Sequence, residues 1–165
     1  MTCEIEELLC RAADALALQR HGAARRLYRR AERLSRQADL PRLRALAAEG
    51  LANVARRDRR FSEALASTEV AIEAWGQAGE PIQEAAALLE RAESLERMDR
   101  WPEARLAYRK ARAALLEQGC SSDVSRCDNA IAVLGDRIAR QIRDERRAAG
   151  ATPSSRRLFG RPWSR

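Results

Sequence analysis

Large side chains are scarce in this chain: two phenylalanines, two tyrosines and three tryptophans make aromatics 4% of 165 residues, against 45% hydrophobic residues in all. Alanine carries much of the apolar content, which argues against a core built on bulky anchors. Alanine surfaces let helices approach closely, and alanine has the highest helix propensity. Histidine occurs once, at His21, and no two cysteines stand closer than seven residues. That spacing excludes the tight Cys/His clusters of a zinc site. Cys3 and Cys10, and again Cys120 and Cys127, would lie about 10 Å apart along a helix. An intrahelical disulfide needs Cα atoms within about 7 Å, so buried or half-buried free thiols are expected. No run approaches the ~18 consecutive apolar residues of a membrane span. The N-terminus, with Glu4, Glu6 and Glu7, lacks the basic start and apolar centre of a signal peptide. A soluble, cytoplasmic protein is the expectation.

Lysine is almost missing as well: of 31 basic residues only Lys110 is a lysine, a bias of the kind a GC-rich genome leaves. The net charge is +7, and from Arg143 to Arg165 seven arginines face only Asp144 and Glu145. Most of the excess therefore reads as belonging to the last residues, with a nearly neutral body and no nucleic-acid groove. Catalytic constellations are absent too: there is no Gly-rich phosphate loop, metal-binding motif or serine elbow. Asp14, Asp136 and the glutamates are dispersed over polar helix faces. Neither an enzyme nor a cofactor or metal site is expected.

What the chain does have is a repeat. A shift of 40 residues aligns His21, Phe61 and Trp101, then Ala24, Ala64 and Ala104, then Tyr28, Thr68 and Tyr108, then Ala31, Ala71 and Ala111. Such a period means that each unit cannot bury its own apolar face, so neighbours stack into one continuous core. The units read as 5–44, 45–84 and 85–124, each of two helices about 17 residues long. Pro41 and Pro81 mark helix stops and starts, and Pro102 falls in a first helical turn, where its missing N–H costs nothing. Beyond the third unit, Val124, Cys127, Ile131, Leu134, Ile138 and Ile142 form one apolar stripe. This is the pattern of a terminal capping helix, about 121–148. The expected fold is all-α: a right-handed solenoid of three helical hairpins plus this cap, spanning 1–148.

Small residues at the eighth position of each unit (Ala12, Ala52, Ala92), rings at the seventeenth, and alanines at the twentieth and twenty-seventh resemble the tetratricopeptide repeat (TPR). The 40-residue period is similar to the longer-helix variant of kinesin light chains and many bacterial regulators, as is Gly50-Leu51-Ala52-Asn53. Arg11 and Arg91 stand where that family prefers leucine, and Thr68 replaces a ring. The resemblance implies a non-enzymatic adaptor or scaffold whose first helices line a concave groove for a peptide or amphipathic helix of a partner protein. Carried onto this chain, the groove residues include Leu9, Leu16, Leu46, Glu49, Asn53, Arg56, Arg57, Leu89, Glu93 and Arg97. The groove is then apolar at its N-terminal end and mixed in charge through the middle. Asn53 has two readings: an amide that donates to and accepts from a peptide backbone, or a surface side chain bonded to solvent or a neighbouring helix. Arg56 and Arg57 also have two: carboxylate capture, or pairing with Glu93 and Glu96 of the next unit. The family's carboxylate clamp for chaperone tails is not matched, since Leu9, Ala13, Ala86 and Glu90 stand at its positions.

From residue 149 the helical period is lost and a basic, disordered tail is expected. Its Arg156, Arg157, Leu158, Phe159 and Trp163 offer the alternative reading, a docking element for an acidic groove, membrane or nucleic acid. Arg156-Arg157-Leu158-Phe159-Gly160 resembles the cyclin-docking motif; a solvated tail without a role is the plain alternative. Self-association through the weak first unit, with Ile5, Leu8 and Leu9 near the terminus, is a further expectation.

Overall fold

A computed structural model of the chain describes residues 2–150. These form seven α-helices and no strand: α1 (Thr2–Ala17), α2 (His21–Gln37), α3 (Pro41–Arg57), α4 (Phe61–Ala78), α5 (Pro81–Arg97), α6 (Trp101–Glu117) and α7 (Ser121–Gly150). Each helix packs on the next, and α1 also reaches α3. The arrangement is the helical solenoid expected from the repeat. Pro41 and Pro81 are first residues of α3 and α5. The second and third helix pairs thus open four residues ahead of the frame drawn from rings and alanines, while the 40-residue step is kept.

The turns carry a shorter period that the side chains conceal. Residues 19, 39, 59, 79, 99 and 119 all adopt left-handed backbone, with φ between 52° and 72°. In each case the following N–H reaches back five residues to a helix carbonyl, from Arg20 to Ala15 (2.8 Å) through to Cys120 and Leu115 (3.0 Å). This satisfies carbonyls that a helix end leaves open, in the manner of a Schellman turn. Only Gly79 and Gly119 adopt that backbone freely. Gln19, Asp39, Arg59 and Asp99 hold a Cβ in it, at roughly 1–2 kcal/mol each. Packing of the flanking helices offsets that strain.

The core is thin and alanine-rich. Ala12, Ala52 and Ala92, Ala24, Ala64 and Ala104, and Ala31, Ala71 and Ala111 are all 0% exposed. One close approach stands out where α2 meets α3. A Cβ built on Gly50 would lie 2.2 Å from Tyr28 Cε1, so the buried ring fits only because that position carries no side chain. One repeat later Thr68 stands in the ring position and Glu90 in the glycine position. Thr68 turns its hydroxyl back to the Ala64 carbonyl, 2.9 Å away.

Helix α7 caps the stack as its stripe implies, with Cys127 and Leu134 buried and Val124, Ile131 and Ile138 half-buried. Ile142, counted in the same stripe, is 43% exposed. The 30-residue α7 outruns the 17-residue α6 beneath it, so the described residues leave this last apolar residue partly uncovered. The thiols also depart from expectation: Cys127 is buried and Cys120 half-buried, but Cys3 and Cys10 are exposed. Of the tail read from 149, Ala149 and Gly150 belong to α7. Arg156, Arg157, Leu158, Phe159 and Trp163 lie outside the described residues.

Candidate functional site

The face built by the first helices of each pair divides into two parts. At the N-terminal end, Leu9 of α1, Leu40 of the α2–α3 turn, and Leu43 and Leu46 of α3 line a trough of about 720 Å³, closed on one side by Gln77 and Ala78 of α4. Glu6 and Arg42 stand at its rim. Leu46 is 39% exposed, so this apolar surface faces solvent. Expected groove residues Leu9 and Leu46 are thus brought together. Leu16 and Leu89 are instead buried, in the clusters around Tyr28 and Tyr108 respectively.

Further along, most of the charged groove residues are committed to each other. Glu49 accepts a 2.6 Å hydrogen bond from Trp75 Nε1. Burial raises the pKa of this carboxyl, and the Glu90 charge adds to the rise, while the Trp75 bond and Arg56 oppose it. Arg56 binds Glu90 at 2.8 Å. The expected partners Glu93 and Glu96 are taken by the capping helix: Arg126 lies 2.7 Å from Glu93 and Arg137 3.8 Å from Glu96. Tyr108 also donates its hydroxyl to Glu96 at 2.8 Å, and burial foremost pushes the phenol pKa far up. Arg57 and Arg97, one repeat apart, are exposed and make no ion pair with any described residue. The Asn53 amide is half-buried and has no hydrogen-bond partner among the described residues. Bonding to a neighbouring helix, one of the two readings of Asn53, is therefore not what the structure shows. Among the described residues, Asn53, Arg57 and Arg97, together with Glu6 at the trough, are polar groups of this face left without a partner.

His21 occupies the register of Phe61 and Trp101, but packing is only part of its role. Its Nδ1–H donates to Asp58 Oδ1 at 2.5 Å, and Asp58 Oδ2 receives Arg25 at 2.5 Å and Arg60 at 2.8 Å. The His21 hydrogen bond, then the His21 and Arg25 charges, hold the Asp58 carboxyl below the usual range. The cluster ties α2 to the turn between α3 and α4. Among the described residues no group of three His, Cys, Asp or Glu side chains is placed to hold a metal. No described helix is long and apolar enough to cross a membrane.

One charged surface escaped the sequence reading. Helix α2 carries six arginines against Glu32. Arg26, Arg29, Arg33 and Arg36 are exposed, and none has an ion-pair or hydrogen-bond partner among the described residues. Charge averaged over the whole body hid this helix, because α1 and α4 are acidic. The spacing of three, four and three residues was the signal that could have found it.

This fold, a helical hairpin solenoid, is that of TPR-like proteins. A TPR-like protein from Chlorobium tepidum has a similar structure, with a TM-score of 0.63 and 24% sequence identity over 81% of this chain and 96% of that chain. No protein-family model matches the chain, and no curated protein matches it. The likeness extends to the fold.

Proposed function

We propose that this chain is a cytoplasmic, non-enzymatic interaction module that holds an apolar-anchored peptide or amphipathic helix of a partner protein. The observation that carries this reading is the solvent-facing trough between α1 and α3, lined by Leu9, Leu40, Leu43 and Leu46. Its volume falls in the range of ligand sites, about 300–1,000 Å³, but its long open form suits a chain segment rather than an enclosed small molecule. Apolar side chains of a partner helix at successive turns would enter it, the mode of helix-in-groove recognition. Asn53, Arg57 and Arg97 continue the same face with unpaired polar groups that would fix direction and register. The 40-residue step and the Gly50-Leu51-Ala52-Asn53 run support reading the repeats as the longer-helix TPR variant similar to kinesin light chain repeats. Four free thiols fit a reducing compartment.

The test is affinity capture with mass spectrometry on three proteins: wild type, Leu46→Asp, and Asn53→Ala combined with Arg57→Glu. Leu46 is partly exposed, so its substitution leaves the core alone. The same partner should be lost from both variants, and a partner list unchanged in both overturns the reading.

A further inference from the structure

The outer row of α2 is a charged surface that folding does not explain. Arg26, Arg29, Arg33 and Arg36 lie on one helical face and span about 15 Å. Like charges at these spacings repel one another along a helix and weaken it. At the corresponding register of α4 the chain carries Glu69 and Glu73, both engaged, with Arg91 at 3.3 Å and Arg44 at 3.6 Å. Glu32, the only acidic residue of α2, has its charge met by Arg44 at 3.6 Å. A general arginine bias does not place glutamates in one helix and unpaired arginines at the same positions of another.

Beside the row runs a second groove, about 510 Å³, in which Arg29, Arg33 and Arg36, with the Arg44-paired Glu32 among them, form one bank. Ala48 and Leu51 of α3 make the floor, and Ala66, Ser67 and Val70 of α4 the far bank. The floor is apolar, with Ala48 buried and Leu51 half-buried. Among the described residues no aromatic side chain lines it, so unpaired bases would find no stacking platform there. Large exposed apolar or aromatic side chains, which carry a peripheral helix into a membrane interface, are absent from this lining too. Glu69 and Glu73 bound the site on the α4 side and would repel a broad polyanion. A single acidic row with small apolar residues beside it fits both charge and shape.

We propose that the α2 arginine row and the α2–α4 groove form a second docking surface, whose ligand is an acidic amphipathic segment of a partner protein. The carboxylates pair with Arg26, Arg29, Arg33 and Arg36, and apolar side chains rest over Ala48, Leu51 and Val70. Charge-assisted bonds to guanidinium groups set the orientation, and attraction along the row speeds encounter. The surface is independent of the trough between α1 and α3.

The experiment uses the full chain and a fluorescent peptide of glutamates with a leucine at every fourth position, titrated at low and at moderate salt. Wild type should bind it, and more weakly as salt rises. Arg29→Glu combined with Arg33→Glu should weaken binding by about tenfold or more, and the gentler Arg29→Ala with Arg33→Ala by less. Arg140→Glu with Arg143→Glu on α7 changes net charge equally and should leave binding within about twofold. Circular dichroism melts confirm that each variant is folded. Equal loss from the α7 control overturns the proposal, because only net charge would then matter. So does a wild type that fails to bind the peptide at low salt. Tighter binding of a single-stranded oligonucleotide of equal charge, abolished by the same α2 substitutions, would reassign the surface to phosphates and overturn it as well.

Discussion

The two halves of the solenoid are made from one repeat but are held together differently. Among the described residues no ion pair joins α1 to α3, although Arg42 at the rim of the trough pairs with Glu80 at 3.6 Å, and the nearby fit of Tyr28 over Gly50 depends on shape. Between α3, α5 and α7 the same face is crossed by Arg56–Glu90, Glu93–Arg126 and Glu96–Arg137. The first arrangement leaves an apolar trough open to solvent. The second ties its polar groups to each other. Equivalent positions of a repeat can thus stay open to solvent in one half and bond internally in the other.

The largest expected effect breaks the shape-dependent half. Gly50→Ala should destabilise the protein by about 1–3 kcal/mol, as overpacking does, although alanine is the better helix former by about 1 kcal/mol. Chemical denaturation measures it, and a double variant that also carries Tyr28→Leu should recover part of the loss. Additive losses would show that ring and glycine do not conflict. The charged half should respond more weakly. Arg126→Ala removes exposed pairs with Glu93 and Asp123, together worth no more than about 1 kcal/mol. Its effect should fade in high salt, and a loss independent of salt would mean that Arg126 acts by packing.

The smallest effect lies at the boundary, in Glu49. Its folded pKa is raised, so at neutral pH the ionised carboxyl opposes folding. That penalty disappears as pH falls through the folded value toward the unfolded one. Glu49→Gln keeps an oxygen for Trp75 and removes the charge. The variant should melt slightly above wild type at pH 7 and level with it near pH 4. Melts over that range check the sign, and a variant less stable at pH 7 would make the ionised form the favoured one. Asp58 has the opposite sense, since its carboxyl is held low. Its contribution is present above the ordinary aspartate range and is lost as pH falls through the folded value.

Much of this architecture was legible in residue types. The nine register alanines and the two prolines that open α3 and α5 follow from helical periodicity and from the missing proline N–H, both local properties. The left-handed turn residues were legible only at Gly79 and Gly119. At Gln19, Asp39, Arg59 and Asp99 the backbone is imposed by helices closing around the turn, and the side chain gives no sign of it. The site was less legible still. Leu9 and Leu46 could be placed on an open face by position, whereas the burial of Leu16 and Leu89 depends on neighbouring helices.

By itself the sequence determined the repeat length, the helical class, the alanine seam and the existence of a cap, because a 40-residue period and a 3.6-residue helix leave few other ways to bury those side chains. Only the tertiary structure decided which charges are spent on each other and which stay free. Arg56 reaches Glu90, while Arg126 and Arg137 of α7 take Glu93 and Glu96. Among the described residues, the four arginines along the outer row of α2 are left without a partner. Ion pairing depends on a few ångströms between side chains on different helices, and that distance is set by how the hairpins stack.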